Sequence, residues 1–256
     1  FMVGNDFLPH IPSIEIIEDG LELIIEVYKE VCTNYGHITE LKDNSVRFNP
    51  KVLGIFFGTI GQYEKTNLEN KLSKKESFFP DPLLESCARQ NSSGDWTVDI
   101  YQYRKEYFEE SFPESDTQKT VCHKYLEGMQ WVLSYYTAGV PNWKWLYPYH
   151  YAPTASMLAK HVDTFIFPTY GFSAPNTPFQ QLLCVLPPVS ADLIPEPLCN
   201  LLTDSKSPLK KFCPDEFEVD LSGKRKEWEG IVILPVVDFN KVRECYLKVM
   251  HKINPK

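Results

Sequence analysis

Between Trp131 and Tyr151 the chain reads WVLSYYTAGVPNWKWLYPYHY, eight Trp or Tyr residues and His150 within twenty-one positions, interrupted by one Gly139-Val140-Pro141 turn. Aromatic rings combine large apolar area with flat faces. Such a run either builds a rigid core or presents platforms on which planar ligands, nucleobases above all, can stack. With 256 residues and 43% apolar content, the chain suits one large domain or two small ones, and a substantial core is expected.

The formal charge of −8 argues against a protein that coats nucleic acid generally, which is normally basic. It leaves room for a local basic channel, or for carboxylates gathered around metal ions. Seven cysteines (Cys32, Cys87, Cys122, Cys184, Cys199, Cys213, Cys245) are scattered, odd in number and never spaced C-x-x-C. Reduced thiols are expected, and a zinc site is not. No apolar run is long enough to span a bilayer, so a soluble, intracellular protein with no membrane partner is expected. Phe1-Met2-Val3 leads directly into Gly4-Asn5-Asp6 and reads as the end of a buried strand, so the chain is expected to be a piece of something longer.

The first helix signal runs from Gly20 to about Thr33, with Leu21, Ile24, Ile25, Tyr28, Val31 and Cys32 at helical spacing. Alternating pieces at His37–Leu41 and Val46–Phe48 are expected to pair as a small ribbon. Asn49-Pro50 then opens a second helix through Phe56, Ile60 and Tyr63. Periodicity is lost over residues 65–95, where Phe78-Phe79-Pro80-Asp81-Pro82 and Asn91-Ser92-Ser93-Gly94 act as breakers, and this stretch reads as a linker. A third helix is expected over Val98–Ser111. Ser115 with Gln118 resembles a capping box that opens the longest helix, whose apolar stripe is Val121, Cys122, Tyr125, Met129, Val132, Leu133 and Tyr136. Trp131 lies off that stripe in a row with Lys124, Gly128 and Tyr135, a position that could face a groove. Further on, Pro178–Leu186 and Pro195–Leu202 read as short helices, Phe217–Leu221 as a strand, and Ile231–Leu234 as a more buried strand. Asp238 caps a last helix carrying Val242, Cys245, Tyr246, Val249 and Ile253.

Asp6 is the most suggestive carboxylate, since it follows a strand-like run at the end where α/β sheets place their ligand sites. The bland alternative is a turn or cap residue. For each ring of the aromatic run the alternative to base stacking is a packed scaffold. His150 reads as a structural hydrogen-bonding residue, and Lys224-Arg225-Lys226 as a charged hairpin tip in solvent rather than a phosphate contact. Neither a P-loop nor a dinucleotide fingerprint is present.

Three segments taken together, Gly4-Asn5-Asp6-Phe7-Leu8-Pro9-His10, Gly128–Tyr136 (GMQWVLSYY) and Trp143–Pro153 (WKWLYPYHYAP), resemble the Xrn family of 5′→3′ exoribonucleases. Pro178–Pro188, Ser207–Asp220 and Leu221–Pro235 agree in order. The resemblance implies a mainly α chain with a few short strands, the C-terminal part of an α/β (PIN-like) nuclease catalytic core. Residues 1–64 would close the family's first conserved region, 65–95 would link, and 96–256 would form the second. The implied activity is hydrolysis of single-stranded RNA bearing a 5′-monophosphate to mononucleotides, with two Mg2+ ions held by carboxylates.

On the family pattern Asp6 is the last metal ligand in chain order, both catalytic and metal-binding, while Trp131 and Trp145 are the two positions that match a base-stacking tryptophan. The family's other carboxylates and its 5′-phosphate pocket precede this motif. The chain alone is therefore expected to be inactive, with the N-terminal part of its own catalytic region as a partner and an apolar seam facing it. The alternative is a non-catalytic RNA-binding or protein-interaction module derived from the family. Pro12–Ile16 resembles the nuclear form, whereas Tyr147–Tyr151 and Glu227–Glu229 resemble the cytoplasmic one, which is preferred.

Overall fold

In the computed structural model, which describes residues 2–16, 19–74 and 79–253, the chain forms two compact units. One comprises Phe1–Pro141, Leu146–Gly171 and Leu221–Gly230, the other Asn142–Trp145, Phe172–Asp220 and Ile231–Lys256. Phe1 and Phe78, which figured in the expectations above, lie outside the described residues.

The first unit is organised on its second helix. The first, α1 (Gly20–Tyr35), is followed by strands β1 (Thr39–Lys42) and β2 (Ser45–Phe48). These pair antiparallel from Thr39 opposite Phe48 to Lys42 opposite Ser45. Asp43 and Asn44 both take positive φ, the backbone that a two-residue hairpin turn requires. Helix α2 (Pro50–Ser73) opens on Asn49, whose side chain accepts from the Val52 N–H at 3.3 Å, with Pro50 in the first turn. Its first half buries Leu53, Phe56, Phe57 and Ile60 almost completely, each worth roughly 1.5–3 kcal/mol of transfer free energy.

After Ile60 the buried face of α2 continues at helical spacing through Glu64 and Leu68, flanked by partly buried polar side chains. Glu64 is 1% exposed. One of its oxygens accepts from the Ser156 backbone N–H at 2.8 Å. The other accepts from Ser156 Oγ at 2.8 Å and from Arg104 Nε at 2.8 Å and Nη2 at 2.7 Å. Arg104 Nη2 also donates to Ser156 Oγ at 2.7 Å. Asn67 donates to the Ser13 carbonyl at 3.0 Å, Glu69 accepts from the Val98 N–H at 3.0 Å, and Lys71 pairs with Glu15 at 2.8 Å. Ser156 comes close because residue 61 is glycine, where a Cβ would lie 2.6 Å from Ser156 Oγ.

The helix does not end near Tyr63, and α2, at 24 residues, is longer than the 21-residue helix over 118–138. Apolar periodicity thins after Lys65 because Asn67, Glu69 and Lys71, which α2 partly buries there, are polar, with Leu68 the buried apolar side chain of that stretch. Residues 82–98, which include the end of the expected linker, are also built into structure. Helix α3 (Pro82–Ser86) is followed by strands β3 (Ala88–Gln90) and β4 (Trp96–Val98), paired antiparallel. Leu68, Leu84, Cys87 and Val98 share a core cluster with Tyr103, Tyr107, Phe112 and Val121.

Helix α4 (Ile100–Ser111) starts on Asp99 and α5 (Gln118–Ala138) on Thr117, whose side chain accepts from the Thr120 N–H. Thr117 therefore takes the capping role expected of Ser115. Val121, Cys122, Tyr125, Met129 and Val132 are buried as expected, while Tyr136 is 66% exposed. Gln130 is buried on another face of α5. It accepts from the Phe48 N–H at 3.1 Å and donates to the Val46 carbonyl at 3.0 Å, satisfying the open edge of β2. Helix α6 (Ala155–His161), capped by Thr154, packs along α2.

Two further expectations are corrected. On α1 the structure buries Gly20, Val27 and Val31 but leaves Leu21, Ile25, Tyr28 and Tyr35 at 39–59% exposure. Half of the six-residue apolar stripe read from the sequence, Leu21, Ile25 and Tyr28, therefore faces outward. Lys224-Arg225-Lys226 is not a solvated tip. The Gly223 N–H donates to the Pro80 carbonyl and the Phe79 N–H to the Lys224 carbonyl, each at 3.2 Å, so Gly223 is buried and Lys224 and Arg225 are partly buried.

The second unit contains α7 (Pro178–Val185), α8 (Glu196–Thr203), α9 (Phe239–Val249) and an antiparallel pair, β5 (Glu218–Asp220) with β6 (Ile231–Ile233). Leu183, Ala191, Ile194, Leu198, Leu202, Leu209, Val242 and Cys245 form its core. Asp238 caps α9 by accepting from the Asn240 and Lys241 N–H groups. Strand β6 is less buried than its apolar sequence implies, with Val232 43% exposed, because a two-stranded ribbon turns alternate side chains away from whatever covers its other face.

The Glu64 network gives a direct test. Glu64→Leu, which strands Arg104 and Ser156 without their acceptor, is expected to lower unfolding free energy by about 3–5 kcal/mol. Adding Arg104→Met and Ser156→Ala should recover much of that loss, as read by chemical denaturation.

Candidate active-site loop

The segment Gly4–Ile11 is a closed loop rather than the end of a strand. Met2 and Val3 form a turn, and the chain doubles back so that the Ile11 N–H donates to the Met2 carbonyl at 3.2 Å. Gly4 has φ +96°, a left-handed backbone open to glycine, and a Cβ there would touch His10. Asn5 then closes the turn. Its side-chain Oδ1 accepts from the Phe7 and Leu8 N–H groups at 2.9 and 2.8 Å, and its own N–H donates to the Leu8 carbonyl at 3.0 Å. Asx turns of this kind hold the backbone with a short side chain. Asp6 sits at the crest, exposed, between two tethered neighbours.

The loop is anchored from below. Leu8, Ile11 and Ile14 are buried to 1% exposure or less. The Tyr125 hydroxyl on α5 donates to the Pro9 carbonyl at 3.0 Å. The Phe7 ring lies 4.9 Å from Trp131 and 5.2 Å from Tyr135, and those two rings stack at 5.6 Å with 10° between planes. Trp131 is therefore 5% exposed and does not face an open groove within this chain, because α5 is covered on more than one face. Asp6 and Trp131 are nonetheless brought together, with Phe7 as the link. Trp145 belongs to the second unit and is partly buried.

The aromatic run divides between core and surface. Tyr147 meets Tyr125 edge-on at 5.6 Å, Tyr149 meets Tyr147 at 5.4 Å, and Phe112 meets Tyr149 at 5.4 Å. The hydroxyls of this wall are used. Tyr147 donates to the Tyr151 carbonyl at 2.9 Å, Tyr149 to Asp116 at 2.7 Å, and Tyr107 to the Ala152 carbonyl at 2.8 Å. Burial raises the pKa of Tyr107, Tyr125 and Tyr147 well above the ordinary phenol value, so all three remain neutral donors. Trp143, by contrast, is 51% exposed.

Asn5, Phe7 and Tyr125 are the functional supports that sequence reasoning passed over. The signal for Asn5 was present, an Asx residue after a glycine, while the Phe7 and Tyr125 contacts span more than a hundred positions. Among the described residues, no group of three or more His, Cys, Asp or Glu is placed to hold a metal ion. Asp6 thus offers one carboxylate and does not by itself make a metal site. All seven cysteines are free.

Next to the loop, burial lowers the His10 pKa below its ordinary value. Lys224 and Lys71 push the same way, against Glu15 and the contact of Nδ1 with the Ile11 carbonyl. Burial works to raise the Glu15 carboxyl, but Lys71 outweighs it and holds the pKa down. A histidine depressed on folding binds fewer protons folded than unfolded, so its stability contribution is complete above about pH 6.5 and is lost as pH falls through the folded value. His123 and His161 are lowered by burial too. The melting temperature is expected to fall between pH 7.5 and 5.5, and His10→Asn should flatten part of that slope in thermal melts across the range.

A family model described as the Xrn1 helical domain matches residues 1–94 and 96–256. The 5′-3′ exoribonuclease 2 homolog of Drosophila melanogaster is 29% identical over 293 residues, covering 93% of this chain and 32% of its own length. The 5′-3′ exoribonuclease 1 of Homo sapiens is 26% identical over 301 residues, covering 99% of this chain and 18% of its own. That of Saccharomyces cerevisiae is 39% identical over 159 residues, 60% of this chain and 10% of its own. The chain spans a third or less of the length of these relatives. With its model matched over all but one position, the chain belongs to the Xrn exoribonuclease family, by way of that family's helical domain.

Proposed function

We propose that this chain is part of a 5′→3′ exoribonuclease that removes mononucleotides from RNA bearing a 5′-monophosphate, and that it supplies one metal ligand, Asp6, and part of the RNA channel. The observation that carries this is the locked Gly4–Ile11 loop, in which Asp6 is exposed while Asn5, Phe7 and Pro9 are each tethered. A carboxylate held this way is suited to share a divalent metal with carboxylates from elsewhere. Two such ions, when bound, would supply Lewis-acid activation of water and stabilise the leaving oxygen.

The parent fold would be an α/β (PIN-like) core, with residues 1–64 closing its first conserved region and 96–256 forming the second. The exposed apolar residues of α1, Leu21, Ile25, Tyr28 and Tyr35, would form the seam against the N-terminal part of that core. Trp131 and Trp145 are the candidate stacking rings. Stacking contributes about 1–3 kcal/mol per base with little sequence preference, as degradation of many transcripts requires. Trp131 has the advantage of neighbouring the Asp6 loop.

In the complete protein with magnesium and 5′-phosphorylated single-stranded RNA, Asp6→Ala is expected to abolish nucleotide release while leaving the melting temperature within a few degrees. Trp131→Ala and Trp145→Ala separate stacking from scaffold. The ring that stacks should weaken RNA binding by about 1–3 kcal/mol, and a ring that only packs should lower the melting temperature instead. The chain on its own should release no nucleotides, since its described residues assemble no metal-binding cluster. Full activity of Asp6→Ala in the complete protein would refute the assignment. Absence of any nuclease activity in that protein would favour a non-catalytic RNA-binding or protein-interaction module.

A further inference from the structure

We propose that Asn5 is a positioning residue for Asp6, a neutral clamp whose amide is required by the active site rather than by the fold. This rests on the assignment of Asp6 as a metal ligand. Two of Asn5's polar atoms are committed to the turn: Oδ1 accepts from both the Phe7 and Leu8 N–H groups, and the backbone N–H donates to the Leu8 carbonyl. The side-chain Nδ2 is shielded from solvent and has no hydrogen-bond partner among the described residues. A buried donor without an acceptor is a cost to the folded state.

Aspartate at position 5 would accept the same two backbone N–H groups, with the added strength of a charged acceptor, and would leave no donor unpaired. By turn stability alone, an amide is the poorer choice. What an amide offers is neutrality. A second carboxylate beside Asp6 would double the charge presented at the crest, changing where and how a cation is held. The unpaired Nδ2 is thus the cost of clamping the loop without adding a charge to it. Phe7, the next residue after Asp6, is fixed against Trp131, so the Asp6 main chain is held from both sides and only its carboxylate is left to meet a metal.

The test uses Asn5→Asp, Asn5→Ala and Asp6→Ala in the complete exoribonuclease. Three readouts are needed: thermal unfolding without added metal, amide exchange at Phe7 and Leu8, and nucleotide release as a function of magnesium and of RNA. Asn5→Asp is expected to melt at or above the wild-type temperature at pH 7.5 and to keep Phe7 and Leu8 slow to exchange. Its kcat should nevertheless fall at least about tenfold, with KM for RNA within about threefold of wild type. Asn5→Ala should speed exchange at both amides about tenfold and raise the magnesium needed for half-maximal rate by about 10–100-fold, as loss of an outer support of a metal ligand does. Wild-type kcat in Asn5→Asp would overturn the proposal, as would a lower melting temperature in that variant or unchanged exchange in Asn5→Ala. Asp6→Ala reports separately. If it stays active, the metal-ligand assignment itself fails; if it is inactive while Asn5→Asp is fully active, only the role of Asn5 is lost.

Discussion

A single buried carboxylate holds the first unit together. Glu64 on α2 receives Arg104 from α4 and both the hydroxyl and the backbone N–H of Ser156 at the start of α6, with one side of the approach opened by Gly61. A carboxylate taken this far out of water is tolerable only when all its acceptor directions are filled. Because the partners come from two other helices, filling these directions fixes the three helices relative to one another. The same face of α2 then reaches Ser13 through Asn67 and Glu15 through Lys71. The register of α2 is thereby passed to the segment that follows the Asp6 loop.

From that frame the path to the loop is short. Helix α5 contributes Tyr125 to the Pro9 carbonyl and Trp131 to the Phe7 ring, so the residues flanking Asp6 are held by the same helix that buries much of the aromatic run. The run that could have been a platform or a core divides between the two: Tyr147 and Tyr149 form edge-to-face contacts with one another and with Tyr125 and Phe112, while Tyr136 and Trp143 are exposed. Its inner rings give rigidity behind the loop, with Trp131 packed against Phe7.

Much of the fold was legible from spacing and caps. The helix from Gly20, the Thr39–Phe48 hairpin and the helix ending at Ser111 follow from residue spacing, and the last helix from its apolar face with Asp238 as its cap. The failures share a cause. Residues 65–73 looked structureless because the side chains that α2 partly buries beside Leu68, namely Asn67, Glu69 and Lys71, are polar, and a polar residue with a distant partner cannot be told from a solvent-facing one by sequence. Likewise Leu21, Ile25 and Tyr28 looked like a core stripe although they face outward. Apolar spacing reports that a face seeks cover, not which chain provides it. At the site, Asp6 stood out by its motif, but its support by Phe7 and Trp131 depends on contacts across more than a hundred residues.

The central claim is that this chain presents Asp6, through a loop set by its own core, as a ligand to a divalent metal. Anomalous diffraction from crystals of the complete enzyme containing Mn2+ tests it most directly. A manganese peak about 2.0–2.2 Å from an Asp6 carboxylate oxygen, with the Asn5–Leu8 turn unchanged, is the result expected. Manganese bound in the active site with Asp6 turned away from it, or with the turn rebuilt, would contradict the account.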